Sequence, residues 1–129
     1  MQKTILILFF FLSGIIAHAQ QLEVEKMIEY IDKTNGDDLV RLYFDISYYS
    51  GFFNTLQAID YGHLCLGEAI KSDDSLLIAE GYNALAIAYY TSSDYRKSLD
   101  YNLLALDIRE RHGDDYSLIS SHSKAGNCY

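Results

Sequence analysis

One feature narrows the possible folds more than any other: the chain resembles itself at a fixed spacing of about 40 residues. Tyr49, Tyr89 and Tyr129 fall together at this offset, as do Asp60 with Asp100 and Tyr61 with Tyr101. Leu66 meets Leu106, Ile59 meets Leu99 and Asp74 meets Asp114. The segments "SDDSLLIAEGY" (Ser72 to Tyr82) and "HGDDYSLISSH" (His112 to His122) hold the same place in consecutive units. A period of this size belongs to chains that stack one supersecondary unit on the next. Each unit alone leaves an apolar face uncovered, so it needs a neighbour.

The hydrophobic spacing inside a unit is helical. Tyr82, Leu85, Ala86 and Tyr89 follow i, i+3, i+4, i+7 and share one face. Ser92, Ser93 and Asp94 interrupt, and Asp94 is placed to cap a second helix. That helix carries Tyr95, Ser98, Leu99, Ala105 and Leu106 as its apolar stripe. Arg109, Arg111 and His112 suit its C-terminus, Gly113 a left-handed cap, and Asp114 or Asp115 the start of the next helix. Small residues let two helix backbones approach, and Tyr fills the space beside them. The chain has no Pro, which favours uninterrupted helices, and no segment alternates with period two. The register predicts helix pairs near 39–71 and 75–111, then an unpaired helix from about Tyr116.

The stretch from Ala79 to Ile108 resembles the tetratricopeptide repeat. Tyr82, Leu85, Ala86 and Tyr89 match the first-helix pattern of that family, Ser93-Asp94-Tyr95 its short turn, and Ala105-Leu106 its closing pair. "KAGNCY", Lys124 to Tyr129, is similar to the opening phrase of a further unit. The first unit keeps Ala58 and Cys65-Leu66 at the small positions and the Leu that follows. Ser98 and Asn102 depart from the usual Ala and aromatic residue. The resemblance covers roughly Leu39 to Tyr129. It implies an all-α fold: a right-handed α-solenoid of stacked antiparallel helix pairs, about two and a half repeats plus an N-terminal helix. The last unit lacks its second helix, which points to a fragment of a longer array.

Ahead of the repeats the chain reads as a leader and a cap. Lys3 precedes the apolar run "ILILFFFL", Ile5 to Leu12, Ser13-Gly14 breaks it, and Ala17-His18-Ala19 is an A-x-A cleavage pattern. Together they form a secretory signal peptide over 1–19, with the cut expected after Ala19 and the mature chain starting at Gln20. An uncleaved anchor is the competing reading. No Cys follows the run, which argues against a bacterial lipoprotein. Residues 20–38 are expected to cap the array: "LEVEKMIEYIDKT" places Val24, Met27, Ile28 and Ile31 on one face, and "NGDD" (Asn35 to Asp38) ends it. The repeats then occupy 39–129. The protein is expected to be exported through the Sec pathway, periplasmic or secreted, with membrane attachment only through regions outside this chain.

The side-chain inventory points to binding rather than catalysis. A formal charge of −8 argues against nucleic acid and against anionic membranes. His63, His112 and His122 form no metal-ligand spacing with one another or with Cys. Cys65 and Cys128 fall in different units and are expected to pack rather than pair. Serines 117, 120, 121 and 123 cluster where capping explains them. No nucleophile elbow and no phosphate-cradling glycine loop occurs. No cofactor and no metal are expected.

The resemblance implies a ligand groove lined by the first helices. Its positions are Tyr43 and Ser47 in the first unit, Glu80, Asn83, Ile87 and Tyr90 in the second, and Ser120, Ser123 and Asn127 in the third. None of these is Lys or Arg, and only Lys124 is near, so the carboxylate-clamping function of some family members is not expected. The leading expectation is a non-enzymatic, protein- or peptide-binding scaffold, the sensory or binding part of a larger envelope protein. The alternatives are the repeat region of a membrane-anchored histidine kinase or LuxR-type regulator, a sugar-uptake outer-membrane protein, and an enzyme with its catalytic domain elsewhere.

Overall fold

A computed structural model describes residues 1–112, and these residues are helical throughout, without a strand. Five α-helices follow one another: α1 (Gln2–Glu29), α2 (Gly36–Ser50), α3 (Thr55–Ser72), α4 (Ser75–Thr91) and α5 (Tyr95–His112). A short 3-10 turn, Ile31–Lys33, lies between α1 and α2.

Local chemistry sets most of these boundaries. Asn54 caps α3 by accepting from the Gln57 amide at 3.0 Å. Asp74 caps α4 by accepting from Leu76 and Leu77. Asp94 caps α5 through the Lys97 amide at 3.2 Å, as the sequence predicts. Arg109, Arg111 and His112 occupy the last turn of α5, where cations complement the helix dipole. The turn from α3 to α4 is only Asp73-Asp74, and Asp73 closes it in the left-handed region at φ 56°.

Residues 22–34 do not form the separate helix expected of them. α1 runs unbroken from Gln2 to Glu29. Asn35-Gly36 opens α2 instead of closing the helix before it. Gly36 has φ 59°, a conformation that costs glycine little, and it turns the chain sharply from the 3-10 segment into α2. The first helix pair therefore spans 36–72, starting three positions earlier than expected.

Consecutive helices pack antiparallel. Ser47 meets Ala58 while Val40 meets Cys65, so α2 and α3 run in opposite directions. Gly62 faces Leu85 and Gly81 faces Leu66 across α3 and α4. Ala86 meets Ser98 and Glu80 meets Arg109 across α4 and α5. α2 also touches α4 directly, and α1 lies along α2 with Val24 buried. The core between these helices is rich in small residues: Ala58, Ala69, Ala79, Ala84, Ala86, Ala88 and Ala105 are all buried. Short side chains permit the close approach that the alternation of Ala and Tyr implies. Tyr101 then stacks between Tyr82 and Tyr89, with centroids at 6.1 and 5.7 Å.

The two helix pairs are alike, with one difference. Tyr43 sits by Tyr61 in the first pair as Tyr82 sits by Tyr101 in the second. Ser47 reaches Ala58 across 11 positions, whereas Ala86 and Ser98 stand 12 apart. The first pair is thus one residue shorter across its turn. On α2, Tyr43, Ile46 and Ser47 take the places of Tyr82, Leu85 and Ala86, one position away from the uniform offset. Tyr49 and Tyr89, which that offset aligns, are in fact different: Tyr49 is exposed and Tyr89 is half-buried, with Lys97 over its ring at 5.0 Å.

Candidate functional site

The shifted register changes which residues of α2 face outward. Ser47, expected in the groove, is buried and donates from Oγ to the Ala58 carbonyl at 2.7 Å. It belongs to the contact between α2 and α3. Tyr43 is half-buried against Tyr61. The α2 residues equivalent to Glu80, Asn83 and Ile87 are Arg41, Phe44 and Tyr48. On α4, Glu80 and Ile87 are half-buried, Asn83 is buried, and Tyr90 is exposed beside Tyr95 at 5.3 Å. Ser120, Ser123 and Asn127 lie outside the described residues, as do Gly113, Lys124, Cys128 and the helix expected from Tyr116.

A pocket of about 570 Å³ opens where the middle of α2 and the first turns of α4 meet the end of α5. Val40, Phe44, Leu76 and Leu77 form its apolar wall, and Arg41, Asp45, Asp74, Glu80 and Arg109 supply the charges. Of the groove residues expected from sequence, it contains Glu80 alone. Tyr90 lies about 15 Å further along α4 by helical rise, at the end where the interhelical turns cluster. Two arginines, Arg41 and Arg109, line this pocket. Arg41 arrives through the one-residue shift. Arg109 is the charge expected merely to favour the end of α5. Its side chain is 5% exposed and pairs with Glu80.

Most of these charges are engaged. Arg109 donates to Glu80 Oε1. Arg41 donates to Asp38 at 3.3 Å, outside the pocket wall. Asp74 accepts two backbone amides as the cap of α4. Asp45 makes no ion pair or hydrogen bond among the described residues, and burial raises its carboxyl above the usual range. The Cys65 thiol lies beneath, donating to the Val40 carbonyl at 3.4 Å. Burial, with Glu80 and Asp45 adding to it, pushes this thiol up to about 12. Cys65 is a free, buried thiol and behaves as a small packing residue.

His63 shares a 3.4 Å contact with the Tyr89 hydroxyl and meets that ring edge-on. Among the described residues, no three or more His, Cys, Asp or Glu gather in a way that could hold a metal ion. Arg41 and Phe44 could have been read from sequence. Aligning Val40-Tyr43-Ile46 with Ala79-Tyr82-Leu85 keeps aromatic and apolar positions in step, at one residue less than the Tyr49–Tyr89 spacing. The burial of Arg109 has no comparable local signal. Comparison with protein-family models, curated proteins and solved structures finds no match.

Proposed function

We propose that this chain is a non-enzymatic, exported binding scaffold of tetratricopeptide-like helix pairs, stacked as a right-handed solenoid, whose ligand face is the side shared by α2 and α4. The observation that carries the reading is the pocket between these two helices. It combines an apolar wall with charged groups, on helix pairs that repeat one another's contacts. Repeat arrays present such neighbouring first helices as a continuous concave surface. Mixed apolar and charged lining suits a protein or peptide partner, the partner class of an envelope-protein binding module.

The test is site-specific photo-crosslinking in cells. A photoreactive residue at Phe44 or Leu76 should capture a partner, whereas one at the exposed Leu64 or Leu103 should not. Capture only from Leu64 and Leu103 would place the binding face elsewhere.

The apolar start of α1 supports the export part of this reading. Met1 to Ile16 are exposed, and the first buried residue, Val24, lies beyond Ala19. Cutting after Ala19 would therefore remove little of the packing between α1 and the helix pairs. N-terminal sequencing of the exported product should begin at Gln20. A second reading, an uncleaved anchor, draws on the unbroken course of α1 through Ala17-His18-Ala19 and on its apolar length. Recovery of a membrane-bound product with Met1 intact would favour it.

A further inference from the structure

We infer that the pocket between α2 and α4 takes an extended peptide in which an apolar side chain stands beside a Lys or Arg, the apolar group seated on Phe44 and Leu76 and the cation on Asp45. The inference rests on the proposed ligand face and adds the chemistry of its occupant. Two observations carry it. The pocket's volume of about 570 Å³ lies within the range of ligand clefts, about 300–1,000 Å³, and its wall is built from Val40, Phe44, Leu76 and Leu77. Its charges are compensated at every carboxylate but one. Glu80 is held by Arg109 and Asp74 by the amides of α4, while Asp45 has no partner among the described residues.

Asp45 lines the pocket and is exposed, so its unpaired carboxylate is open to a cation that a ligand brings. The whole chain reinforces this preference, since its formal charge is −8. An acidic peptide would meet Asp45 and Asp74 at close range and the same overall field beyond them. Arg41 could offer such a peptide one contact, but it already lies against Asp38 and is two-thirds exposed, where an ion pair is weak. The chemistry favours a basic and apolar segment.

Fluorescence anisotropy of the purified full chain with two labelled peptides of equal length separates the possibilities. One peptide alternates Leu with Lys, the other Leu with Glu. The Leu–Lys peptide should bind, and raised salt should weaken it. Asp45→Lys should weaken it about tenfold or more, and Phe44→Ala should weaken it comparably. Asp60→Lys, the same charge change at an exposed position on α3, should leave binding within about twofold. Melting curves of each variant show whether the fold is retained. Preference for the Leu–Glu peptide, binding of neither peptide, or equal loss with Asp60→Lys would overturn the inference. Crosslinking from position 44 that survives Asp45→Lys would leave the ligand face standing and remove only the ligand class.

Discussion

Among the described glycines, Gly81 stands tightest against a neighbouring helix, and a single methyl group tests that contact. A Cβ at position 81 would lie 2.6 Å from the Leu66 Cα and 3.1 Å from its Cβ. Ordinary contact begins near 3.4 Å, and the obstacle is backbone rather than the end of a flexible side chain. α3 and α4 must therefore separate by nearly 1 Å, which loosens dispersion contacts along the shared face. Overpacking a tight contact costs about 1–3 kcal/mol, and a backbone obstacle belongs at the upper end. Against this, Ala in a helix interior is favoured over Gly by about 1 kcal/mol.

The net expectation for Gly81→Ala is a loss of about 2 kcal/mol. For a domain of this size that lowers Tm by about 8–16 °C. Two other glycines supply controls on the same helix system. Gly67 has nothing within 4 Å, so Gly67→Ala should raise Tm by about 4–8 °C through helix propensity alone. At Gly62 the Cβ would meet Leu85 Cδ2 at 2.9 Å, a side-chain end that can turn aside, so Gly62→Ala should fall between the two. Circular-dichroism melts of the three variants give the ranking directly. A Gly81→Ala variant that melts at or above the parent would refute the close crossing of α3 and α4.

Further outcomes follow from other contacts. Ala86 is buried where α4 meets α5, so Ala86→Leu should cost about 1–3 kcal/mol, read as a lower urea midpoint. Asp73 holds a left-handed conformation that glycine adopts more easily, so Asp73→Gly should stabilise by up to about 1 kcal/mol; an unchanged midpoint would mean the turn is unstrained. The Cys65 thiol, pushed up to about 12, should resist alkylation at pH 8 until the chain is unfolded in urea. The folded chain holds that proton more tightly than the unfolded one, whose thiol titrates near about 8.5. Stability should therefore fall as pH rises between these values, by up to about 1.4 kcal/mol per unit, and Cys65→Ala should lose this part of the pH dependence.

Much of the fold was written locally. The spacing of Tyr82, Leu85, Ala86 and Tyr89 gives a helix because its period depends only on the backbone. Asp74 and Asp94 mark helix starts because a cap acts on amides two or three residues away. The run of small residues foretold close helices, and Gly81 against Leu66 fulfils that. What the sequence left open was rotation. One residue turns a helix face by about 100°, so the one-residue-shorter connection between matched contacts of the first pair puts Phe44 in the place expected of Tyr43, and Tyr48 in that expected of Ser47. Many sequence matches at the longer offset, Tyr49 with Tyr89 among them, concealed that shift. The burial of Arg109 against Glu80 is likewise tertiary: the two residues stand 29 positions apart, and only the packing of α4 on α5 brings them together. Helix identity is settled by neighbours along the chain. The lining of the pocket between α2 and α4 depends on the register between helices and on contacts between distant residues, so only the packed structure decided it.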